Sequence, residues 1–129
     1  QYQFVLPFGC EDELRRIVEK IVVSKTASPL VVLKRFGASN PAPLSFPMPG
    51  WTLTVDIPTR AEGLGSLLHS LDNIVMAAGG RHYLAKDAHT TPLAIRRGYP
   101  RLDEWKQVQQ SVDPDRRWQS DLARRLELI

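Results

Sequence analysis

Hydrophobic and polar positions alternate most cleanly over residues 51–57. Trp51, Leu53, Val55 and Ile57 fall on one side, and Thr52, Thr54 and Asp56 on the other, the period-two signature of a half-buried strand. Residues 1–7 alternate similarly before stopping at Pro7, and the β-branched run 30–36 predicts a further strand. Two stretches carry the 3.6-residue period instead. Leu14, Ile17, Val18, Ile21 and Val22 place a helix over 11–25, with Glu11, Asp12 and Glu13 in its first turn and Lys25 at its end. Leu64, Leu67, Leu68, Leu71, Ile74 and Val75 place another over 63–78, closed by the pair Gly79-Gly80. A short fourth strand is expected over 81–85. The order strand, helix, strand, strand, helix, strand predicts an α+β fold of the ferredoxin-like βαββαβ kind, an antiparallel sheet with both helices on one face.

Between the second and third strands, 37–49 holds Pro41, Pro43, Pro47 and Pro49 and predicts an ordered, extended loop. After residue 88 the pattern turns helical. A weak helix is expected over 91–97, one over 101–112 from Leu102, Trp105 and Val108, and one over 118–128 from Trp118, Leu122 and Leu126. The pattern divides the chain into an α+β portion, 1–88, and a C-terminal helical segment, 89–129.

At 129 residues, 43% hydrophobic and 24% charged, the chain has ordinary globular composition and enough length for one core. No apolar run approaches the roughly 20 residues of a membrane span, and no signal peptide is visible. A net charge of +3 is too mild to argue for nucleic acid. The single Cys10 excludes an internal disulfide framework and a Cys-based zinc cluster, and His69, His82 and His89 lack metal-ligand spacing. His69 is expected to be packed or at a rim. Cys10 lies near a helix start that would lower its pKa, but no base is near it in sequence. The arginine pairs 96–97, 116–117 and 124–125 are expected on solvated helix faces. A chain that begins at Gln1, inside a strand-like run, reads as a piece of a longer protein.

The uncovered sheet face offers Gln1, Gln3 and Val5 from the first strand and Thr52, Thr54 and Asp56 from the third. Amides and small hydroxyls make directional hydrogen bonds and suit a ligand wall as well as a solvated face. Lys34 interrupts an apolar strand, as an edge charge or a ligand contact. Lys86 follows Tyr83-Leu84-Ala85 and precedes Asp87, with which it would otherwise form a loop ion pair.

The runs Leu33-Lys-Arg-Phe-Gly37, Asn40-Pro-Ala-Pro-Leu-Ser-Phe-Pro-Met-Pro-Gly-Trp51, Tyr83-Leu-Ala-Lys-Asp87 and Ser120-Asp-Leu-Ala-Arg-Arg-Leu-Glu-Leu128 together resemble one family. It is the FAD-linked oxidoreductases typified by decaprenylphosphoryl-β-D-ribose 2-oxidase, within the vanillyl-alcohol-oxidase and aldonolactone-oxidase superfamily. The resemblance covers essentially the whole chain. It implies a two-domain flavoenzyme whose N-terminal domain, outside this chain, binds most of the FAD, with 89–129 returning to pack on that domain. It implies substrate-binding roles for Gln1, Gln3, Lys34, Thr52, Thr54 and Tyr83, cofactor contacts from Tyr83 and Lys86, and a catalytic role for Lys86. Mycobacterial members carry Asn and Cys where this chain has Thr52 and Thr54. The implied reaction is oxidation of a sugar or polyprenyl-phosphoryl sugar hydroxyl to a ketone, with hydride passing to flavin. The implied setting is the cytoplasm or the cell envelope, with a reductase partner.

The alternative is a stand-alone ferredoxin-like module that binds a small molecule or RNA. RNA binding would favour aromatics on the open sheet face, where the third strand shows threonines. Detached from its flavin domain, the segment is expected to bind FAD weakly or not at all. It should also expose apolar surface near Trp105 and Trp118 that favours a homodimer.

Overall fold

In the computed structural model, which describes residues 1–26 and 29–129, the elements follow as β1 (Tyr2–Pro7), α1 (Glu11–Ser24), β2 (Val31–Phe36), β3 (Gly50–Val55), α2 (Leu64–Ala77), β4 (Arg81–His82), α3 (Pro92–Gly98), α4 (Leu102–Val112) and α5 (Asp121–Arg125). One turn of 3₁₀ helix, Leu84–Lys86, follows β4. The strands form one antiparallel sheet in the order β2-β3-β1-β4. The two strands joined through α1 therefore run parallel with β3 between them, and the two joined through α2 run parallel with β1 between them. The α+β class expected from the pattern is the class observed.

Alternation decides which face is covered. Tyr2 pairs with Val55, Phe4 with Leu53 and Leu6 with Trp51, so their side chains share one face. That face packs on Ile17 and Ile21 of α1 and on Leu68, Leu71, Ile74 and Val75 of α2 in a single apolar cluster. Burying a side chain the size of Phe4 or Leu71 contributes about 1.5–3 kcal/mol. The core also holds a polar trio. Tyr2 Oη donates to Asp72 Oδ1 at 2.8 Å, and His82 Nε2 lies 2.9 Å from the same oxygen.

The helix ends follow local chemistry. Lys25 leaves α1 in the left-handed conformation at φ 54°. Gly80 enters β4 where no side chain fits, because a Cβ there would lie 2.4 Å from the Val5 carbonyl oxygen.

The tail folds onto the β4 side of the sheet rather than away from it. Ile95, Tyr99, Leu102, Leu126 and Leu128 form a second apolar cluster, joined by Leu44 of the proline-rich loop and Leu84 of the 3₁₀ turn. Tyr99 Oη donates to the His82 carbonyl at 2.6 Å. The Arg81 guanidinium donates to the Ser45 carbonyl at 2.7 Å, tying the loop down as well.

Two predicted elements are corrected. The strand expected over 81–85 stops at His82, and the chain turns into 3₁₀ helix. The helix expected over 118–128 is only Asp121–Arg125. Asp113 accepts hydrogen bonds from the backbone N–H groups of Arg117 and Trp118, and Arg116 has φ 50°. The chain is thereby turned before Trp118, which is 76% exposed, and Ser120 caps a fresh start by accepting from the Ala123 N–H.

Candidate functional site

The sheet face away from α1 and α2 is only partly open. Val5 and Thr52, expected there among exposed polar groups, are both buried. Phe46 rises from the proline-rich loop and stacks on Tyr83 with centroids 4.6 Å apart. Phe36 meets Phe46 edge-on at 5.6 Å. What remains is a groove of about 410 Å³, within the size range of small-ligand sites.

Gln1, Gln3, Lys34, Thr54, Tyr83 and Lys86 all line this groove. They come from four separate parts of the chain. Gln1 and Gln3 lie on or beside β1, Lys34 on β2, Thr54 on β3, and Tyr83 and Lys86 flank the 3₁₀ turn. The seventh candidate, Thr52, is 1% exposed and lies beneath the groove. Its Oγ1 donates to the Phe4 carbonyl at 2.8 Å and accepts from Gln3 Nε2 at 3.1 Å. Thr52 thus anchors the Gln3 carboxamide through its nitrogen.

The groove carries two cations, Lys34 and Lys86, and one acid, Asp56. Lys86 is half-buried, and among the described residues its ammonium has no hydrogen bond or ion pair. The loop pair with Asp87, the alternative to a site role for Lys86, does not form. Asp87 faces Arg125 instead, at 2.6 Å. Desolvation raises the Asp87 pKa, but the Arg125 hydrogen bond, the backbone N–H groups of Thr90 and His89 and the Arg125 charge together bring it below the ordinary carboxylate value. A smaller cavity of about 90 Å³ shares Gln1, Gln3 and Lys86 with the groove and is also lined by His82.

The other candidates resolve differently. His69, expected to be packed or at a rim, is exposed on α2. Cys10 sits at the start of α1, where desolvation, Glu13 and Glu11 push its thiol up rather than down. Among the described residues no group of His, Cys, Asp and Glu is arranged to hold a metal, and no helix is long and apolar enough to cross a membrane. Phe46 and Val32 line the groove and were not anticipated. Phe46 belongs to a loop, where no periodicity announces which side chain turns inward.

The partly open sheet face thus brings together carboxamides, a hydroxyl, a stacked phenol and an ammonium that has no partner among the described residues, groups able to form directional hydrogen bonds. The D-arabinono-1,4-lactone oxidase family model matches residues 53–126, and the chain belongs to that family. It is 48% identical, over all 129 residues, to a decaprenylphosphoryl-beta-D-ribose oxidase of Mycolicibacterium smegmatis, covering 28% of that protein. It is 44% identical over 127 residues, 98% of this chain, to a Streptomyces coelicolor protein described as an uncharacterized protein in the mprA 5' region, covering 35% of it. The chain spans about a third of the length of these curated relatives.

Proposed function

We propose that this chain is the substrate-side segment of an FAD-linked oxidase that converts a sugar hydroxyl to a ketone, with a polyprenyl-phosphoryl pentose as the substrate class. The observation that carries the reading is the convergence of Gln1, Gln3, Thr54, Tyr83 and an unpaired Lys86 on one groove, in a chain of this family. Residues 1–88 form the substrate portion in this reading, and 89–129 also pack on the flavin domain.

The donor set fits the cofactor. The Lys86 ammonium has no partner among the described residues and is therefore available to the polar edge of a flavin or to a sugar hydroxyl. FAD, when bound, supplies the hydride acceptor for the carbinol carbon. Lys86 and Tyr83 are the residues of this chain that would hold its edge. Lys86 stabilises negative charge developing during oxidation, and it does so without reorganisation because its turn is already folded. Gln3, held by Thr52, and Gln1 orient the sugar hydroxyls. Lys34, at the exposed margin of the groove, attracts the phosphoryl group. The aromatic stack of Tyr83, Phe46 and Phe36 closes one side against water.

The test is anaerobic mixing of the full-length flavoprotein with a short-chain polyprenyl-phosphoryl β-D-ribose. The expected result is bleaching of the flavin's visible absorbance and a product lighter by two hydrogens. Unchanged absorbance at saturating substrate would sink the substrate class.

A further inference from the structure

Lys86 is displayed by a short piece of chain. β4 has only two residues, Arg81 and His82, and beyond the 3₁₀ turn no regular element begins before Pro92. A lysine on such a segment would ordinarily be mobile.

Here the segment is clasped from the far end of the sequence. Asp87 accepts from the backbone N–H groups of His89 at 2.9 Å and Thr90 at 2.8 Å. It also accepts from Arg125 Nη2 at 2.6 Å. The second Arg125 nitrogen, Nη1, donates to the Thr90 carbonyl at 2.6 Å. One guanidinium therefore bridges both ends of 87–90, a use of its planar fork that an ammonium cannot reproduce. The Asp87 side chain is 7% exposed and that of Arg125 35%, so water and salt screen the pair less than a surface pair. Arg124, its neighbour, differs: it faces outward to Asp121 and Gln119. Leu84, at the start of the same turn, packs in the cluster that holds Leu126 and Leu128. The last turn of the chain thus grips the Lys86 segment on both sides.

We propose that Arg125 is a positioning residue for Lys86, acting through Asp87 to fix the turn that presents the ammonium to the groove. The inference rests on the oxidase reading of Lys86. A displacement of about 1 Å in a reacting group can cost on the order of 10²-fold in rate, so the clasp matters to rate as well as to stability.

The experiment is a double-mutant cycle in the full-length flavoprotein, with a short-chain polyprenyl-phosphoryl β-D-ribose as substrate. Arg125→Ala should lower kcat/KM by roughly 10- to 100-fold with the flavin retained. Lys86→Ala combined with Arg125→Ala should be no worse than Lys86→Ala alone, because the clasp acts only through that lysine. Arg125→Lys should recover part of the loss, and Asp87→Asn, which keeps the shape of the side chain, should reproduce the Arg125→Ala effect if that variant folds poorly. Hydrogen exchange should quicken at the amides of 86–90 in Arg125→Ala and stay unchanged at Ile17 and Leu71. Normal kcat/KM in Arg125→Ala, or independent and multiplying losses in the double variant, would overturn the proposal and leave Arg125 a purely stabilising group. A silent Lys86→Ala would instead defeat the oxidase reading, while the exchange data still decide whether Arg125 orders the turn.

Discussion

Lys34 and Lys86 face the same groove from opposite edges of the sheet. Lys34 sits within β2, opposite Thr52 of β3, on an edge strand whose side chains are mostly exposed. Lys86 sits beyond β4, half-buried, on a turn backed by the second apolar cluster and by the Asp87–Arg125 pair. The residue type is the same, but the preorganisation differs. A charge on an exposed, flexible stem attracts an anion and is screened by salt. A charge fixed in a partly dry wall stabilises developing charge at a defined place. The two lysines should therefore divide the work, one in capture and one in turnover.

Four experiments press on that division. The largest effect is expected from Lys86→Ala in the full-length enzyme. Turnover should fall about 10²-fold or more, as for loss of one preorganised electrostatic donor, while stability changes by less than about 1 kcal/mol. Single-turnover flavin reduction and a urea midpoint measure the two. Lys86→Met should match it, since charge rather than length matters. Next is Thr52→Val, which leaves Gln3 and the Phe4 carbonyl without their shared hydroxyl. It should cost about 1–3 kcal/mol in the urea midpoint and lower kcat/KM as Gln3 loses its anchor.

The third is acid. Asp87 has a folded pKa below its unfolded value, so its contribution is present above about pH 3.9 and disappears as pH falls through the lower folded value. The amides of His89 and Thr90 should lose exchange protection in that range before the core amides of Ile17 and Leu71 do, after correction for intrinsic exchange rates. Asp87→Asn should abolish the step. The smallest effect is expected from Lys34→Ala. KM should rise by less than about fivefold, with kcat unchanged, and the difference should fade in high salt. A Lys34→Ala loss in kcat equal to that of Lys86→Ala would erase the distinction between the walls.

The sequence and the structure agree where one interaction dominates. β3 and the two long helices were legible because each turns its large apolar side chains to one face, which imposes that face's period on the residues. The groove residues were legible in part because an uncovered sheet face inherits the same alternation. Reading failed where side chains compete with the backbone. The apolar spacing of Trp118, Leu122 and Leu126 mimics a helix, but the Asp113 carboxyl captures the Arg117 and Trp118 N–H groups and breaks the run. β4 was expected over 81–85 but carries only one bond past its last ladder residue, from Tyr83 N to the Gln3 carbonyl, before the chain turns into 3₁₀ helix. Phe46 and Arg125 were illegible for another reason. Each acts across a long sequence separation, and nothing local marks which loop aromatic folds inward or which of two adjacent arginines turns toward the sheet.

The buried trio of Tyr2, Asp72 and His82 carries a consequence for assembly. Its members come from β1, α2 and β4, and each needs the others to satisfy a group hidden from water. A one-residue slip of β1 against β3 would turn Tyr2 to the opposite face and leave the buried Asp72 carboxyl with His82 alone, a loss of about 0.5–1.5 kcal/mol for the hydrogen bond on top of the apolar contacts that the slip removes. The trio thus adds a directional requirement to the apolar burial that already sets the register, and the groove on the opposite face inherits that single register.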